Sequence, residues 1–551
     1  MQTELTRAMT SLGHAAPQTD AKGDGAQQLP PYFISYDVAD AYSTRITAQY
    51  GALMSSTEDH VRLGDIQVRV GSPALDNTHG THRTSALSTI SLPLEDDGDA
   101  LARSLWFATN RGYGNALQSY LKVKTETAVR AKEEDTSPDF SVEKPVTGEL
   151  ETPVTAEPVD RKAWETRLRA MSASLRAYPD VFFDVVALTV DSENDYYVSS
   201  EGSKVISPTQ RVRLVIVART RADDGMDLFR AVTYEAHVIA GLPAQEKVDA
   251  DIAGLGKNLE DLRKAPLTEP FNGPAILSGR ASAVFFHEVL GHRLEGQRQR
   301  GDDEGQTFTK DIGKPILPSF LSVADDPTLS TFNGTQLSGH YDFDDEGEPA
   351  RRVDLIQDGV LKTFLMSRLP IANFADTNGH GRAQTGKMPT GRQGNLIVTS
   401  SKSVSDAELR TMLIAEAKKQ GKAYGLYFED ISSGFAVTQR SSPQAFSVIP
   451  LVVYRVYVDG RPDELVRGVS IVGTPQTVLN RIVATDDSPQ VFNGECGAES
   501  GTIPVSAVAP AMLVSEMETQ KQQQGTARPP ILPPPPVETT TTSVPAAKEV
   551  R

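Results

Sequence analysis

The alternation of apolar and polar positions begins at Pro30. PPYFISYDV carries the aromatic and β-branched residues of a strand. ITAQYGALMSSTEDHVRLGDIQVRVG reads as successive strands, with a turn expected at Gly64-Asp65. The period then lengthens. In 101–132, Leu101, Leu105, Trp106, Leu117, Tyr120 and Leu121 fall near a 3.6-residue repeat and predict a helix, with a break expected around Gly112–Gly114. Arg161–Tyr178 is amphipathic and predicts another. Strands are expected at Val181–Val190, Asp195–Ser200, Gln210–Thr220 and Phe229–His237, in antiparallel series, then a helix at Glu246–Lys264.

A second region opens with PFNGPAILSGRASAVFFHEVLGHRLEG. AILSG is a short strand, and Arg280–Leu294 is expected to be helical. Strands dominate afterwards: Asp354–Ile356 turning at Asp358-Gly359 into Val360–Thr363, then Asn395–Val398, Tyr427–Asp430 and Val448–Val458. One helix intervenes, Ser405–Gln420. Residues 133–160 are rich in Pro and acid and predict a solvated loop or linker. The segments divide the chain into a flexible leader (1–29), an N-terminal α/β domain (30–245), a β-rich C-terminal domain (246–518) and a disordered Pro- and Thr-rich tail (519–551). PPPP in the tail favours polyproline II. The fold class is α+β.

Charge narrows the function. The 551 residues include 72 acidic and 55 basic ones, a formal charge of −17. Phosphate backbones are repelled by such a surface, which argues against nonspecific nucleic-acid binding. No run approaches the roughly 18 apolar residues that span a bilayer. MQTELTRAMTSLG lacks the apolar core of a secretory signal. The expectation is a soluble, cytoplasmic protein. The single cysteine, Cys496, excludes an intrachain disulfide.

The sharpest chemical feature is His287-Glu288-Val289-Leu290-Gly291-His292, an H-E-x-x-x-H on a predicted helix. In the H-E-x-x-H zinc motif the histidines are four apart, about 40° around a helix, and converge on one ion. Five residues give about 140°, so a regular α-helix would aim them apart. Convergence requires a distorted turn, expected as a π-type bulge at Leu290–His292 where Gly291 supplies backbone freedom. The apolar run Ala283-Val284-Phe285-Phe286 would bury the helix and leave the polar set facing a cavity.

A catalytic zinc takes three protein ligands and keeps one position open. Two histidines leave one place to fill. Glu295, three residues after His292, is a candidate; its bland alternatives are a carboxylate supporting a ligand and a surface charge at the helix end. His340 in GTQLSGHYDF and His380 in TNGHGRAQTG are isolated loop histidines. Cys496 in the Gly-bounded NGECGAESG offers a thiolate, whose pKa a metal would lower. The residues themselves leave this choice open.

HEVLGHRLEG, the Asp344-Asp345-Glu346-Gly347 segment and the late Cys496-Gly497 together resemble the TldD/PmbA family of metallopeptidases. DGVLKTFLMSRL (358–369), MPTGRQGNL (388–396), LVRGVSIVG (465–473) and CGAESGTIPVSAVAPAMLV (496–514) follow in the family's order and cover most of 270–515. The resemblance implies an active TldD-like member. It implies His287, His292 and Cys496 as metal ligands and Glu288 as the catalytic glutamate. The 246–518 region would then be the metallopeptidase domain. It implies a dimer, with itself or with a PmbA/TldE-like subunit, enclosing a cavity reached by extended peptides. Ala498 stands where a basic residue is common in the family.

The reaction so implied is zinc-assisted hydrolysis of short or unfolded peptides, with Glu288 moving the proton. Zinc is the default ion for two His and one Cys; iron and manganese stay open. Arg382 and Arg392, in Gly-flanked loops, are candidates to stabilise an oxyanion, set against structural ion pairing. Two other readings compete. One is a non-catalytic partner subunit of a TldD/TldE-like heterodimer. The other is a thiol enzyme with Cys496 as nucleophile and His287 as base.

Overall fold

The computed structural model describes residues 1–14, 29–80, 87–127, 135–147, 150–300, 305–436, 438 and 446–522. Much of the leader and nearly all of the tail, including the polyproline segment, lie outside the described residues.

Helix α1 (Gln2–Ser11) precedes a seven-stranded sheet. Its strands are β1 (Pro31–Gln49), β2 (Ala52–Ser72), β3 (Leu75–Asp76), β4 (Leu87–Ser91), β5 (Phe183–Ser199), β6 (Lys204–Arg221) and β7 (Asp227–Ala236). The order is β3-β2-β1-β5-β6-β7, with β4 on β2, and every neighbouring pair is antiparallel. The expected turn at Gly64-Asp65 is absent, and β2 runs straight through it. The chain turns instead at Tyr50-Gly51, where φ is 47° and 75°. Two successive positive φ values match the twist of a tight hairpin. Gly64 serves packing: a Cβ there would stand 2.9 Å from Leu92. The two strands expected between 181 and 200 are one, because β1 and β6 pair along most of its length.

Helix α2 (Gly98–Thr127) passes unbroken through Gly112–Gly114. Gly112 lets it approach β2 and β4, since a Cβ there would lie 3.3 Å from Ser88 Oγ and 3.4 Å from Val68. Helices α3 (Arg161–Ser174) and α4 (Gln245–Lys264) bury Trp164, Leu168, Val248, Ile252 and Leu259 against Val186, Leu188, Leu214 and Ile216 of β5 and β6. The 133–160 segment has no helix or strand among its described residues, yet part of it is not solvated. Asp139 and Phe140 are buried. The Asp139 carboxylate accepts from Asp76 N at 3.0 Å and faces His79 Nδ1 at 2.9 Å. Phe140 lies under the guanidinium groups of Arg69 and Arg368.

The rest of the chain forms two larger sheets around one helix. A six-stranded sheet runs in the order Val360–Leu361, Val353–Gln357, Leu321–Asp325, Asn395–Ser400, Gly501–Ala509, Gln490–Ala498. The Asp358-Gly359 turn occurs as expected, with φ of 48° and 80°. In an eight-stranded sheet, Met512–Lys521 pairs both with Val469–Gly473 and with Phe271–Leu277. Five of its strands thereby close on themselves. Helix α5 (Gly279–Val289) is wedged between these sheets. Phe285, Phe286 and Val289 share its core with Leu277, Phe428, Phe446 and Leu396. Helix α6 (Asp406–Lys419) covers the far face, capped by Ser405 Oγ on Glu408 N. Among the described residues no helix is long and apolar enough to cross a membrane.

Candidate metal centre

Helix α5 starts where Ser278 Oγ accepts from Ala281 N at 3.1 Å, a standard N-cap. It ends at Val289, earlier than the sequence suggested. Leu290 departs from helical geometry (φ −111°, ψ −54°), and Gly291–Arg293 form one 3₁₀ turn. The distortion falls at the expected residues but has the opposite sense: the chain tightens instead of widening. Arg293 makes the early stop tolerable. Its buried guanidinium donates to the carbonyls of Val289 (2.9 Å) and Glu288 (3.3 Å), groups that a helix end otherwise leaves unpaired. Gly291 has no positive φ. It leaves room for the Gln393 side chain, since a Cβ there would lie 1.9 Å from Gln393 Oε1.

The break brings the histidines together, with ring centroids 4.9 Å apart. The third group comes from a β-strand. Cys496 lies on the strand Gln490–Ala498, paired with Ile503 and 5% exposed. Its Sγ is 3.3 Å from His287 Nε2 and 3.4 Å from His292 Nε2. One donor atom from each residue lies within 4.8 Å of the others, the single such group among the described residues. Tetrahedral zinc with ordinary Zn–N and Zn–S bonds puts N and S about 3.5 Å apart, so the donors fit the ion. His287 Nδ1 is buried with no hydrogen-bond partner among the described residues.

Glu295 is not part of this triangle. It is completely buried, and its Oε1 accepts from His292 Nδ1 at 3.0 Å. Its Oε2 takes Arg298 Nε at 2.7 Å. The carboxylate therefore orients His292 from behind, as outer carboxylates do for ligating histidines. Glu288 lies beside the triangle. Its Oε1 accepts from Gly434 N at 3.2 Å, and its Oε2 is 3.9 Å from His292 Nε2.

Burial alone would push the Cys496 thiol up. The facing imidazoles of His287 and His292 overcome it and bring the pKa down to about 4. Burial likewise opposes charge on His292, but Glu295 and the Cys496 sulfur push it up to about 10. Glu295 is held well below the carboxylate range despite its burial, by His292 and Arg298. The pocket thus favours a thiolate, the form a soft cation binds.

The other sequence candidates lie elsewhere. His340 Nδ1 meets the Pro327 carbonyl at 2.8 Å. His380 is fully buried, its Nε2 3.3 Å from Asp325 Oδ1. Arg382 donates to the carbonyls of Gln393 and Pro504. Arg392 is buried behind Cys496. Neither arginine lines the cavity of the centre, so neither is placed to meet an oxyanion. Arg392 has the Glu295 carboxylate 3.5 Å away, as ion pairing would have it, whereas Arg382 is held by carbonyls. Arg293, Arg298 and Gln393 carried no signal in the sequence, because each acts through contacts set by the tertiary fold.

The centre opens into a cavity of about 960 Å³. His287, Glu288, His292 and Cys496 line one side; Phe229, Ala231 and Thr233 of β7 line the other. Arg211 and Arg213 bridge Glu235 of β7 to Glu495, the neighbour of Cys496, at 2.9–3.2 Å. Among the described residues β7 and the Cys496 strand are each terminal in their sheets.

Residues 271–521 match the model of the PmbA/TldA metallopeptidase C-terminal domain, and both histidines and Cys496 fall inside the match. Residues 271–521 belong to the TldD/PmbA family, and the chain is similar to its members beyond them. It is 27% identical over 248 residues to the metalloprotease TldD homolog of Haemophilus influenzae, covering 44% of this chain and 47% of that one. The chain thus spans about half the length of that relative. It is 25% identical over 365 residues to the zinc metalloprotease TldD homolog of Saccharolobus solfataricus, covering 64% of this chain and 73% of that one. The crystal structure of TldE from Thermococcus kodakarensis shares the fold at a TM-score of 0.58 and 13% identity, over 89% of this chain and 97% of that one. The TldD/PmbA likeness read from the motifs is borne out, as is the α+β class.

Proposed function

We propose that this chain is an active, TldD-like, zinc-dependent metallopeptidase, cleaving peptide bonds in short or unfolded peptides. The observation that carries the reading is the convergence of His287 Nε2, His292 Nε2 and Cys496 Sγ beside the Glu288 carboxylate at the wall of one cavity. His287, His292 and Cys496 would hold the ion. A zinc ion bound there supplies Lewis-acid polarisation of a carbonyl and lowers the pKa of water toward about 7. Glu288 is the general base: with one oxygen fixed by Gly434 N, its other oxygen is left to take a proton from water and return it to the leaving amine. Glu295 keeps His292 in the tautomer that presents Nε2.

The cavity favours an extended substrate. β7 and the Cys496 strand both line it and both end their sheets, so a peptide strand can add to an open edge with main-chain hydrogen bonds. Folded proteins do not present such a segment. A homodimer, or a heterodimer with a PmbA/TldE-like subunit, belongs to the same reading, supported by the fold shared with TldE. The intact donor set and Glu288 weigh against a purely non-catalytic partner role. The thiol-enzyme reading leaves His292 and Glu288 without a task.

The test is metal content per chain, wild type beside Cys496→Ser. About one equivalent of zinc in wild type, largely lost in Cys496→Ser, supports the centre and justifies a peptide-library assay. Wild type that purifies without metal and takes none up on zinc titration defeats the peptidase reading.

A further inference from the structure

The three donors come from a helix, a 3₁₀ turn and a β-strand, so something must fix their separation. One loop meets the main chain of two of them, Cys496 and His287, and the carboxylate that holds the third. It is Gly391-Arg392-Gln393-Gly394. Arg392 is 0% exposed. Its Nη2 donates to the Cys496 carbonyl at 2.8 Å, and its Nη1 to Ser500 Oγ at 2.8 Å. Its Nε faces Glu295 Oε1 at 3.5 Å, the same oxygen that accepts from His292 Nδ1. A single guanidinium therefore joins the backbone of the thiol donor to the carboxylate that orients an imidazole. Gln393 completes the set: its Nε2 reaches the His287 carbonyl at 3.5 Å.

The loop is itself rigidly seated. Gly394 N and Asn395 N both donate to Asp325 Oδ1 at 3.0 Å. Arg392 N donates to the His380 carbonyl at 2.9 Å. A Cβ at Gly391 would stand 2.2 Å from the Leu365 carbonyl oxygen. Burying an arginine this completely is costly; Nη1 and Nη2 find acceptors, while Nε makes no hydrogen bond and has only the Glu295 charge opposite it. A planar fork is suited to reaching acceptors on two elements at fixed angles, which a lysine ammonium is not.

We propose that Arg392 is the positioning residue of the metal centre, setting the distance between Cys496 Sγ and His292 Nε2 at which a divalent ion is held. This rests on reading His287, His292 and Cys496 as ligands. Arg392 acts through Glu295 and the Cys496 main chain and touches neither ion nor substrate.

The experiment uses the full chain as wild type, Arg392→Lys, Glu295→Gln and the double variant. Zinc affinity is measured by competition with a chromogenic chelator, and geometry by the absorption spectrum of the cobalt(II) form; far-UV circular dichroism follows the fold. Folded Arg392→Lys is expected to lose about 10- to 100-fold in zinc affinity, the range for outer partners of metal ligands, with a shifted cobalt spectrum. Glu295→Gln keeps an acceptor for His292 but removes the charge facing Arg392. It should move the same way, and the double variant should lose less than the product of the two. If Arg392→Lys does not fold, Glu295→Gln decides by the same readouts. Wild type that binds zinc, with folded Arg392→Lys binding it equally and giving an unchanged cobalt spectrum, overturns this inference and leaves the ligand assignment standing. Wild type that binds no zinc overturns both.

Discussion

His292 Nδ1 lies 3.0 Å from Glu295 Oε1, and Glu295 is fully buried. With that carboxylate held far below its ordinary pKa, Nδ1 must carry a proton. His292 Nε2 faces Cys496 Sγ at 3.4 Å. With its pKa near 10 the metal-free ring is protonated on both nitrogens, and the Nε2 proton is the one a metal would displace, because Glu295 holds the other. The same carboxylate anchors Arg298, whose Nη2 reaches Glu499 at 2.9 Å, so the support extends into the turn beyond Cys496.

Glu288 should separate binding from chemistry. Its carboxylate lies outside the donor triangle, 3.9 Å from His292 Nε2. Glu288→Gln preserves shape and the contact with Gly434 N but removes the base. Zinc content should stay near wild type while turnover of an unstructured fluorogenic peptide falls by about 10²- to 10⁴-fold, the usual contribution of a general base. Equal loss of metal and activity would make Glu288 a structural member of the centre.

Cys496 offers a probe that needs no substrate, because it is the only thiol in the chain. With its pKa near 4, it is a thiolate throughout the neutral range once metal is removed. The sign is set by the lowering: the thiolate is present above about pH 4 and is lost as pH falls through it. Alkylation of chelator-treated protein by iodoacetamide should therefore be nearly independent of pH between 6 and 8. An unperturbed thiol would speed up almost tenfold per pH unit over the same range. Added zinc should block the reaction, and Cys496→Ser should take no label. A rate that climbs with pH like a free thiol would mean the imidazoles do not stabilise the anion.

Periodicity made α2 and α3 legible, because each has a polar face that marks the pattern. The hairpin at Tyr50-Gly51 was not, because Tyr is an unusual residue at positive φ, while Gly64-Asp65 mimics a turn and sits inside a strand. At the centre, H-E-x-x-x-H announced that the helix had to be distorted. It could not say which way, since the sense is decided by Arg293 and Gln393, whose contacts are set by the tertiary fold. Composition and spacing left Cys496 level with Glu295 as candidate third donor. The strand that carries Cys496 to the end of α5 brings its Sγ, and not Glu295, beside the two Nε2 atoms.

Gly291 tests whether the 3₁₀ turn depends on Gln393. A methyl group at 291 would sit 1.9 Å from Gln393 Oε1. Gly291→Ala must therefore displace Gln393 or the turn. Overpacking of this kind costs about 1–3 kcal/mol, read as a lower urea midpoint, and zinc affinity should fall with it. Gly291→Ala combined with Gln393→Ala removes the clash and should recover most of the stability. Failure of the second substitution to rescue would mean that the glycine is needed for its backbone and not for the space it leaves.

Glu348, the residue after the DDEG segment, carries a pH dependence separate from the metal centre. Glu348 is 3% exposed. Burial pushes its carboxyl up to about 7, with Arg368 opposing and Glu143 adding to the rise. The folded pKa lies above the unfolded value of about 4.3. Between the two, the folded state keeps a proton that the unfolded state has given up. Stability from this group is therefore greatest at and below about pH 4.3, declines as pH rises toward 7, and is constant above. Glu348→Gln removes the titration and keeps the shape. At pH 8 the variant should be more stable than wild type by about 1–3 kcal/mol, because each tenfold difference in proton affinity between folded and unfolded chain is worth about 1.4 kcal/mol. Near pH 4 the two should nearly coincide. Thermal unfolding at pH 4, 6 and 8 reads this directly. A variant less stable than wild type at pH 8 would mean that the ionised Glu348 is held by partners that outweigh its burial.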